Sequence, residues 1–359
     1  MKKVYLILEN GEIFEGQSFG VEGEVIGEVV FTTAMTGYLE TLTDPSYYGQ
    51  IVVQTFPLIG NYGVIPSDFE SSKVYHKAYI VRDVCDFPSN FRSQGDLDTF
   101  LKENNVIGIQ GIDVRKLTKI VRDHGVMNGM VSFTKDITEE KMQKLRDYKV
   151  LGAVAATSCK EVEILTPEKV DKKVVLMDYG VKGNIAKELL KRNCQVYIMP
   201  HNTSFEDIMK VNPDGVMLSN GPGDPKENVY EIEQIKKLLN TNLSVFGICL
   251  GNQLLALAHG GDTYKLKYGH RGANQPVKDL STSRVYITTQ NHGYAVDPES
   301  LASDVAQISF INANDGTVEG VNYLKTNAFS VQFHPEACAG PLDTRFLFDQ
   351  FIQRMGGVK

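Results

Sequence analysis

The sequence contains few cysteines, and it has neither an excess of positive charge nor paired-cysteine motifs. The five cysteines among 359 residues are scattered, and none forms a C-x-x-C pair. Their number and spacing argue against a disulfide framework or a zinc site, and they favour a reducing compartment. The formal net charge of −7 gives no electrostatic reason to expect nucleic acid or an anionic membrane as a partner.

Signatures of membrane, nucleotide and metal binding are also missing. No stretch approaches the roughly 18 apolar residues of a membrane span, and the first apolar run is too short for a signal peptide. We therefore expect a cytoplasmic chain without membrane contact. The chain contains neither G-x-x-x-x-G-K-[ST] nor H-E-x-x-H, so we expect no metal, although other nucleotide-binding folds stay open.

The pattern of predicted elements divides the chain into an N-terminal α+β domain over 1–150, a linker over 151–172 and a second domain over 173–359. In the first domain, Asn10-Gly11 predicts a type I′ hairpin turn after a strand. Asp113 is the expected N-cap of a helix that Gly125 ends. The linker prediction rests on the change from small residues to a charged run.

The second domain alternates strand and helix from Val174 onwards. Such succession predicts an α/β fold with a mostly parallel sheet and helices on both faces. Ligands of such sheets bind beyond the carboxyl ends of the strands. Four later segments predict an antiparallel extension of the sheet: Arg284–Thr289, Ala306–Ile311, Gly316–Val321 and Phe329–Phe333.

A cysteine stands between a buried strand and a helix in the centre of this domain. Cys249 follows an apolar run and has Gly247 and Gly251 two residues to either side. This is the Gly-x-nucleophile-x-Gly elbow of α/β hydrolases with sulfur in place of oxygen. The N-terminus of a helix favours a thiolate. A buried structural cysteine is the alternative.

A thiolate nucleophile needs a base, and that base needs an orienting group. His334 is the best candidate because Glu336 follows two residues later, on the same side of an extended segment. His292 is the rival base, without a carboxylate at suitable spacing in the sequence. An oxyanion hole could combine the N–H of Leu250 with a glycine N–H from the loop 219–225, which also suits a plain turn.

These motifs together resemble the class I (triad) glutamine amidotransferase family. The match consists of Gly247–Gln253, Gly221–Asp224 before it and His334–Glu336 after it. The remaining chain resembles the carbamoyl-phosphate synthetase small-subunit family, which carries an N-terminal domain before the amidotransferase domain. The segments that carry this second resemblance are Met35–Tyr38, Leu42–Tyr47, Ile59–Gly63, Gly111–Thr118 and Gly269–Pro276.

The resemblance implies roles for individual residues. Cys249 attacks the side-chain amide of glutamine, His334 transfers protons, and Glu336 orients His334. The implied glutamine contacts are Ser46, Gly221, Gly223, Leu250, Gln253, Asn291, Gly293 and Tyr294. Since Ser46 belongs to the first domain, we expect the glutamine site at the domain interface. Each contact residue has a local structural role as its alternative.

One departure from the family pattern follows Glu336. The chain reads Ala-Cys-Ala-Gly-Pro over 337–341, where the family usually has Ala-Ser-Pro-Gly-Pro. The missing proline is expected to relax the turn, and Cys338 is expected to place a second thiol near the site.

The resemblance also implies a partner. Ammonia released from L-glutamine passes to a large subunit, which combines it with bicarbonate and uses ATP, with Mg expected there. The product, carbamoyl phosphate, serves arginine or pyrimidine biosynthesis, and the pair forms a heterodimer. No cofactor is expected in this chain itself. The alternatives are a glutaminase subunit of another synthetase and a non-catalytic scaffold.

Overall fold

The computed structural model describes residues 2–337 and 339–356. The chain forms two compact units, Met1–Leu151 and Gly152–Lys359, called unit 1 and unit 2 below. Among the described residues, no helix is long and apolar enough to cross a membrane.

Unit 1 is built on a sheet that closes on itself, in the strand order β1-β2-β8-β6-β4-β3-β9. The strands of unit 1 are β1 (Lys3–Leu8), β2 (Ile13–Gly20), β3 (Val25–Thr32), β4 (Gln50–Gln54), β5 (Leu58–Ile59), β6 (Ala78–Ile80), β7 (Asp83–Val84), β8 (Ile107–Gln110) and β9 (Met127–Ser132). Its helices are α1 (Tyr38–Thr43), α2 (Leu97–Glu103), α3 (Val114–His124) and α4 (Glu139–Arg146).

Both faces of this closed sheet are buried, because successive side chains of a strand point to opposite faces. Ile51 and Val53 of β4 belong to the apolar cluster that contains Leu117 of α3. Val52, between them, belongs to a second cluster, which contains Leu39 of α1. The helices of unit 1 thus cover both faces of the sheet.

The hairpin between β1 and β2 differs from the predicted type I′ turn. The N–H of Gly11 donates to the carbonyl of Leu8 at 2.9 Å, and the N–H of Leu8 donates to the carbonyl of Glu12 at 2.9 Å. Within the loop only Gly11 has a positive φ, 89°. A type I′ turn requires two such residues, whereas this three-residue loop is a type I turn followed by a left-handed glycine. The turn prediction is therefore wrong.

Local helix signals in unit 1 are present as predicted. The Asp113 side chain accepts the N–H of Lys116 at 2.9 Å and begins α3, and Gly125, with φ 99°, follows the last residue. A side-chain acceptor at this position satisfies one of the N–H groups that a helix start leaves unpaired.

Unit 2 contains a ten-stranded sheet in the order β10-β12-β11-β13-β14-β19-β18-β17-β15-β16. Its strands are β10 (Glu163–Leu165), β11 (Lys172–Asp178), β12 (Cys194–Pro200), β13 (Gly215–Leu218), β14 (Ser244–Ile248), β15 (Thr263–Asp279), β16 (Val285–Val296), β17 (Ala306–Asn312), β18 (Val318–Tyr323) and β19 (Ala328–Val331). Its helices are α5 (Ala153–Thr157), α6 (Gly183–Leu190), α7 (Phe205–Lys210), α8 (Val229–Leu239), α9 (Leu250–Ala258) and α10 (Phe346–Arg354).

The centre of this sheet is parallel: β12, β11, β13, β14 and β19 pair in parallel in that order. The predicted α/β class is confirmed. β18, β17, β15 and β16 extend the sheet with antiparallel pairs. The segment Phe329–Phe333 was also expected in this extension, but it lies largely in β19, which pairs parallel with β14. The longest strand, β15, was not predicted, because glycine, proline and charged residues interrupt its apolar pattern.

The stretch 151–172 does not behave as a free linker. It contains α5 and β10, and β10 pairs antiparallel with β12 at the edge of the unit 2 sheet. Polar composition indicates an exposed segment, but it does not distinguish a linker from an edge strand whose side chains face solvent.

Candidate active site

Cys249 lies at a strained turn between β14 and α9. Its φ is 55° and its ψ is −103°, a region that residues with a side chain rarely adopt. Its N–H donates to the carbonyl of Val331 at 2.9 Å, and its own carbonyl accepts the N–H of Asn252 at 3.1 Å. These bonds from both sides fix the turn and hold the thiol, which is 2% exposed, at the carboxyl end of the parallel strands.

The two glycines of the elbow are required by close backbone approach. A Cβ on Gly251 would lie 2.3 Å from the carbonyl oxygen of Leu218, and one on Gly247 would lie 2.5 Å from the carbonyl oxygen of Gly251. Real Cβ atoms do not come so close to backbone oxygen, so only glycine lets α9 pack against β13 and β14 here.

His334 and Glu336 form a fully buried pair. The distance from His334 Nδ1 to Glu336 Oε1 is 2.7 Å, and both residues are 0% exposed. The backbone between them is a turn, in which the N–H of Ala337 donates to the carbonyl of His334 at 3.2 Å. The two side chains therefore meet as predicted. The prediction that the segment is extended, however, is wrong.

Lys182 is a third member of this group, and sequence reasoning missed it. Its ammonium lies 3.3 Å from Glu336 Oε1, and the residue is 4% exposed. Lys182 precedes α6, and its N–H donates to the side chain of Asn220 at 3.0 Å. Asp178 shapes the preceding loop by accepting the N–H groups of Gly180 and Val181. The only available signal was the position of Lys182 after a parallel strand.

Electrostatics keep the histidine protonated and the glutamate ionised. Burial alone lowers the pKa of His334, and the charge of Lys182 lowers it further. The charge of Glu336, the hydrogen bond that His334 Nδ1 donates to Glu336, and the nearby sulfur of Cys249 outweigh both, so the pKa of His334 is raised. Burial raises the pKa of Glu336, but the positive charges of His334 and Lys182 bring it below its ordinary value. The pair is thus an imidazolium and a carboxylate.

The thiol of Cys249 interacts with this pair, since it is one of the groups that raise the pKa of His334. His334 Nε2 is buried and makes no conventional hydrogen bond with the described residues. The Cys249 sulfur lies 3.7 Å from the carbonyl oxygen of Asn291. A thiol beside an imidazole that is held by a carboxylate is the arrangement of a cysteine nucleophile with its base and orienting group.

His292, the rival base, is fully buried and already hydrogen bonded. Its Nδ1 donates to the carbonyl of Tyr294 at 2.9 Å, and burial lowers its pKa far below the ordinary value. A carboxylate does lie near it, because Glu319 Oε1 is 3.9 Å from His292 Nε2. Glu319 is distant from His292 in the sequence, so spacing along the chain did not reveal this neighbour.

Comparisons with known proteins cover almost the whole chain. Residues 6–131 match the family model of the carbamoyl-phosphate synthase small chain, CPSase domain. Residues 175–354 match glutamine amidotransferase class-I. The carbamoyl phosphate synthase small chain of Listeria monocytogenes serotype 4b (strain F2365) is 50% identical over 99% of this chain and 98% of that protein.

The chain belongs to the carbamoyl phosphate synthase small chain family. The small chain of Clostridium perfringens (strain 13 / Type A) is 48% identical, over 98% of this chain and 99% of that protein. The small chain of Methanocaldococcus jannaschii is 50% identical, over 97% of this chain and 98% of that protein. Both the small-chain domain and the glutamine amidotransferase class-I domain are therefore present in one chain.

Several of the glutamine contacts expected for a small chain surround Cys249. Gln253 on α9 donates through Nε2 to the carbonyl of Tyr294 at 2.8 Å and to Gln332 Oε1 at 3.1 Å. Both amide protons of Gln253 are thus donated to protein atoms. Its Oε1 is therefore the atom that could accept a hydrogen bond from a ligand. Asn291 and Gly293 lie on β16, close in sequence to Tyr294, and the carbonyl of Asn291 is 3.7 Å from the Cys249 sulfur.

The loop after β13 brings Gly221 beside Leu250. A Cβ on Gly221 would lie 2.2 Å from the carbonyl oxygen of Tyr179 and 2.8 Å from Leu250 Cδ2. Gly223 has a φ of 89° and would place a Cβ 3.0 Å from that of Ala153. Backbone crowding thus accounts for Gly221, and local turn conformation accounts for Gly223.

All eight glutamine contacts stay predictions, and so does the second thiol near the site. Ser46 lies in unit 1, in the 3-10 turn Pro45–Tyr47, where its N–H donates to the Asp44 side chain at 2.9 Å. Cys338 lies outside the described residues. Beside it, Ala339 has a φ of 62°, which a proline could not adopt, so this turn differs from one built on proline.

Proposed function

We propose that this chain is the glutaminase subunit of a glutamine-dependent carbamoyl-phosphate synthetase. The observation that carries the proposal is the strained elbow at Cys249 beside the buried pair of His334 and Glu336. The family assignment supports the same reaction, since this chain matches both the small-chain model and the glutamine amidotransferase class-I model.

In the proposed reaction, the Cys249 thiolate attacks the side-chain amide carbon of L-glutamine. The amide oxygen becomes an oxyanion, and the N–H of Leu250 at the start of α9 is suited to stabilise it. The protonated His334 gives its proton to the amide nitrogen, which leaves as ammonia and leaves a thioester on sulfur. His334 then takes a proton from water, which attacks the thioester and releases glutamate.

The charges of the site suit both proton transfers. Glu336 stabilises the imidazolium of His334, and Lys182 limits that stabilisation by adding a positive charge beside the same carboxylate. His334 can therefore accept a proton and still release it, as an acid and base in one cycle must. Glu336 and Lys182 are positioning residues in this proposal, and Cys249 and His334 are the catalytic residues.

We further propose that the ammonia goes to a large subunit. That subunit would combine ammonia with bicarbonate to form carbamoyl phosphate, with its own ATP and Mg, for arginine or pyrimidine biosynthesis. Transfer within a heterodimer avoids bulk water, where most ammonia is protonated near pH 7. Unit 1 would dock the large subunit, which explains a domain without readable chemistry of its own.

The test is Cys249→Ser in the reconstituted complex with the large subunit. We expect glutamine-dependent synthesis of carbamoyl phosphate to disappear, while synthesis from free ammonia continues. Cys85→Ser, which changes a free cysteine of unit 1, is the matched control and should keep both activities. Glutamine hydrolysis by wild type should also be faster in the complex than in the isolated chain.

Other outcomes would contradict the proposal. Glutamine hydrolysis that persists in Cys249→Ser would exclude this nucleophile. A wild-type chain that binds the large subunit but never releases ammonia would indicate a scaffold. Glutaminase activity without carbamoyl phosphate synthesis would indicate a different synthetase.

A further inference from the structure

A second group of buried polar side chains converges in unit 2, outside the pair of His334 and Glu336. His270 on β15 and His292 on β16 are directly opposite each other across the two strands, and Glu319 lies on β18. One nitrogen of each ring and a carboxylate oxygen lie within 4.8 Å of one another, and all three residues are buried. Irregular pairing on both sides of His270 aims its ring into this group.

Each imidazole uses its other nitrogen for a short hydrogen bond directed away from the group. His270 Nε2 lies 2.9 Å from the carboxylate of Asp315, which also accepts the N–H of Thr317 at 3.0 Å. His292 Nδ1 donates to the carbonyl of Tyr294 at 2.9 Å. A carboxylate or carbonyl acceptor on the outer nitrogen is what metal-binding histidines have, because it fixes the ring and its tautomer.

The inner nitrogens face oxygen atoms. Because His292 Nδ1 carries the proton donated to Tyr294, the neutral ring directs the Nε2 lone pair inward. There it meets Gln290 Oε1 at 3.1 Å and Glu319 Oε1 at 3.9 Å. Three atoms with lone pairs thus face one another, an arrangement that a cation stabilises.

Contacts within the group are long for hydrogen bonds. His270 Nδ1 lies 3.5 Å from Glu319 Oε1, and Asn312 Nδ2 lies 3.4 Å from the same oxygen. Good bonds of this kind are roughly 2.7–3.2 Å long, whereas two ligands of a tetrahedral zinc ion, each about 2 Å from it, are about 3.3 Å apart. Glu319 Oε2 is buried and makes no hydrogen bond with the described residues.

We propose that His270 Nδ1, His292 Nε2 and the Glu319 carboxylate bind one divalent transition-metal ion, with Zn²⁺ as the best match. Two imidazoles and a carboxylate form a three-ligand zinc set with one further position. The sequence predicted no metal, because the three ligands stand far apart in the chain and form no spacing motif. The ion would tie β15, β16 and β18 together beside the segment that carries Asn291.

The test uses the full chain, freed of metal with a chelator and then titrated with Co²⁺ as a spectroscopic substitute and with Zn²⁺ in competition. We expect one tight site per chain, with visible Co²⁺ bands and no thiolate-to-metal absorption. Glu319→Gln and His270→Gln should each weaken metal binding at least tenfold. Loss of a residue that only hydrogen bonds to a ligand already costs about that much, and loss of a ligand should cost more. His124→Gln, which changes an exposed histidine, should bind like wild type.

Three results would overturn the proposal. The first is a wild-type chain that binds no Co²⁺ or Zn²⁺ stoichiometrically. The second is equal affinity in the ligand variants, and the third is thiolate absorption that disappears in Cys249→Ser. If neither ligand variant folds, as judged by near-ultraviolet circular dichroism, Asp315→Asn replaces them. It leaves the ligands intact, so it should still weaken binding about tenfold, and unchanged affinity would count against the site.

Discussion

Replacing Lys182 by methionine should move the pH dependence of glutamine hydrolysis. The Lys182 ammonium and His334 Nδ1 lie 3.3 and 2.7 Å from the same oxygen of Glu336, so they are no more than 6.0 Å apart. Two unit charges at that distance repel by about 3 kcal/mol at an effective dielectric constant of 20. Lys182 therefore destabilises the imidazolium, and its removal raises the pKa of His334.

The pKa of His334 is expected to rise by about one to two pH units. The lower figure applies if water between Lys182 and His334 screens the repulsion between their charges. The active form needs the imidazolium, so the alkaline limb of kcat/KM for glutamine should move to higher pH. Lys182→Arg keeps the charge and should leave the limb in place. Lys191→Met removes an exposed lysine paired with Glu188 and should also leave it unchanged.

If turnover in Lys182→Met is too slow, the pH dependence of Cys249 alkylation reports the same coupled thiol and imidazole. A limb that stays in place or moves to lower pH in Lys182→Met would refute the reasoning. So would an equal shift in Lys191→Met, because it would show that the pH dependence reflects overall charge.

Three further predictions concern stability and the catalytic pair. Burial lowers the pKa of His76 to about 4, so the unfolded chain binds a proton on this residue more tightly than the folded chain does. The stability of the fold is therefore highest above about pH 6.5 and falls as the pH drops toward 4. The free energy of unfolding, measured with urea by a probe in unit 1, should fall by about 2 kcal/mol between pH 7 and pH 5. An equal fall in His76→Phe would contradict this. Gly251→Ala should lower stability by about 2 kcal/mol or more and abolish hydrolysis, unlike Gly95→Ala, where a Cβ meets no atom closer than 3.9 Å. Glu336→Gln should reduce kcat less than His334→Asn, and the double variant should be no worse than His334→Asn; additive losses would separate the two roles.

Features that depend on neighbouring residues could be predicted from the sequence. The alternation of apolar strands and helices predicted the α/β sheet of unit 2, because periodicity reflects which face of each element is buried. Asp113 and Gly125 marked the ends of α3. The elbow glycines around Cys249 followed from a turn that leaves no room for a Cβ. The loop at Gly11 shows the limit, since Asn-Gly is compatible with more than one turn type.

Tertiary structure alone decided which distant side chains share an environment. Lys182 reaches Glu336 because β11 and β19 end at the same edge of a parallel sheet, and no pattern along the chain encodes that distance. His270 and Glu319 meet because β15 pairs into the same sheet as β18, despite its weak apolar pattern. Burial lowers the pKa of both His292 and His334, but the Glu336 carboxylate, 2.7 Å from His334 Nδ1, helps to raise the pKa of that ring above its ordinary value. Local sequence thus indicated the elements and the proposed nucleophile, whereas packing between distant strands determined the electrostatics of the site.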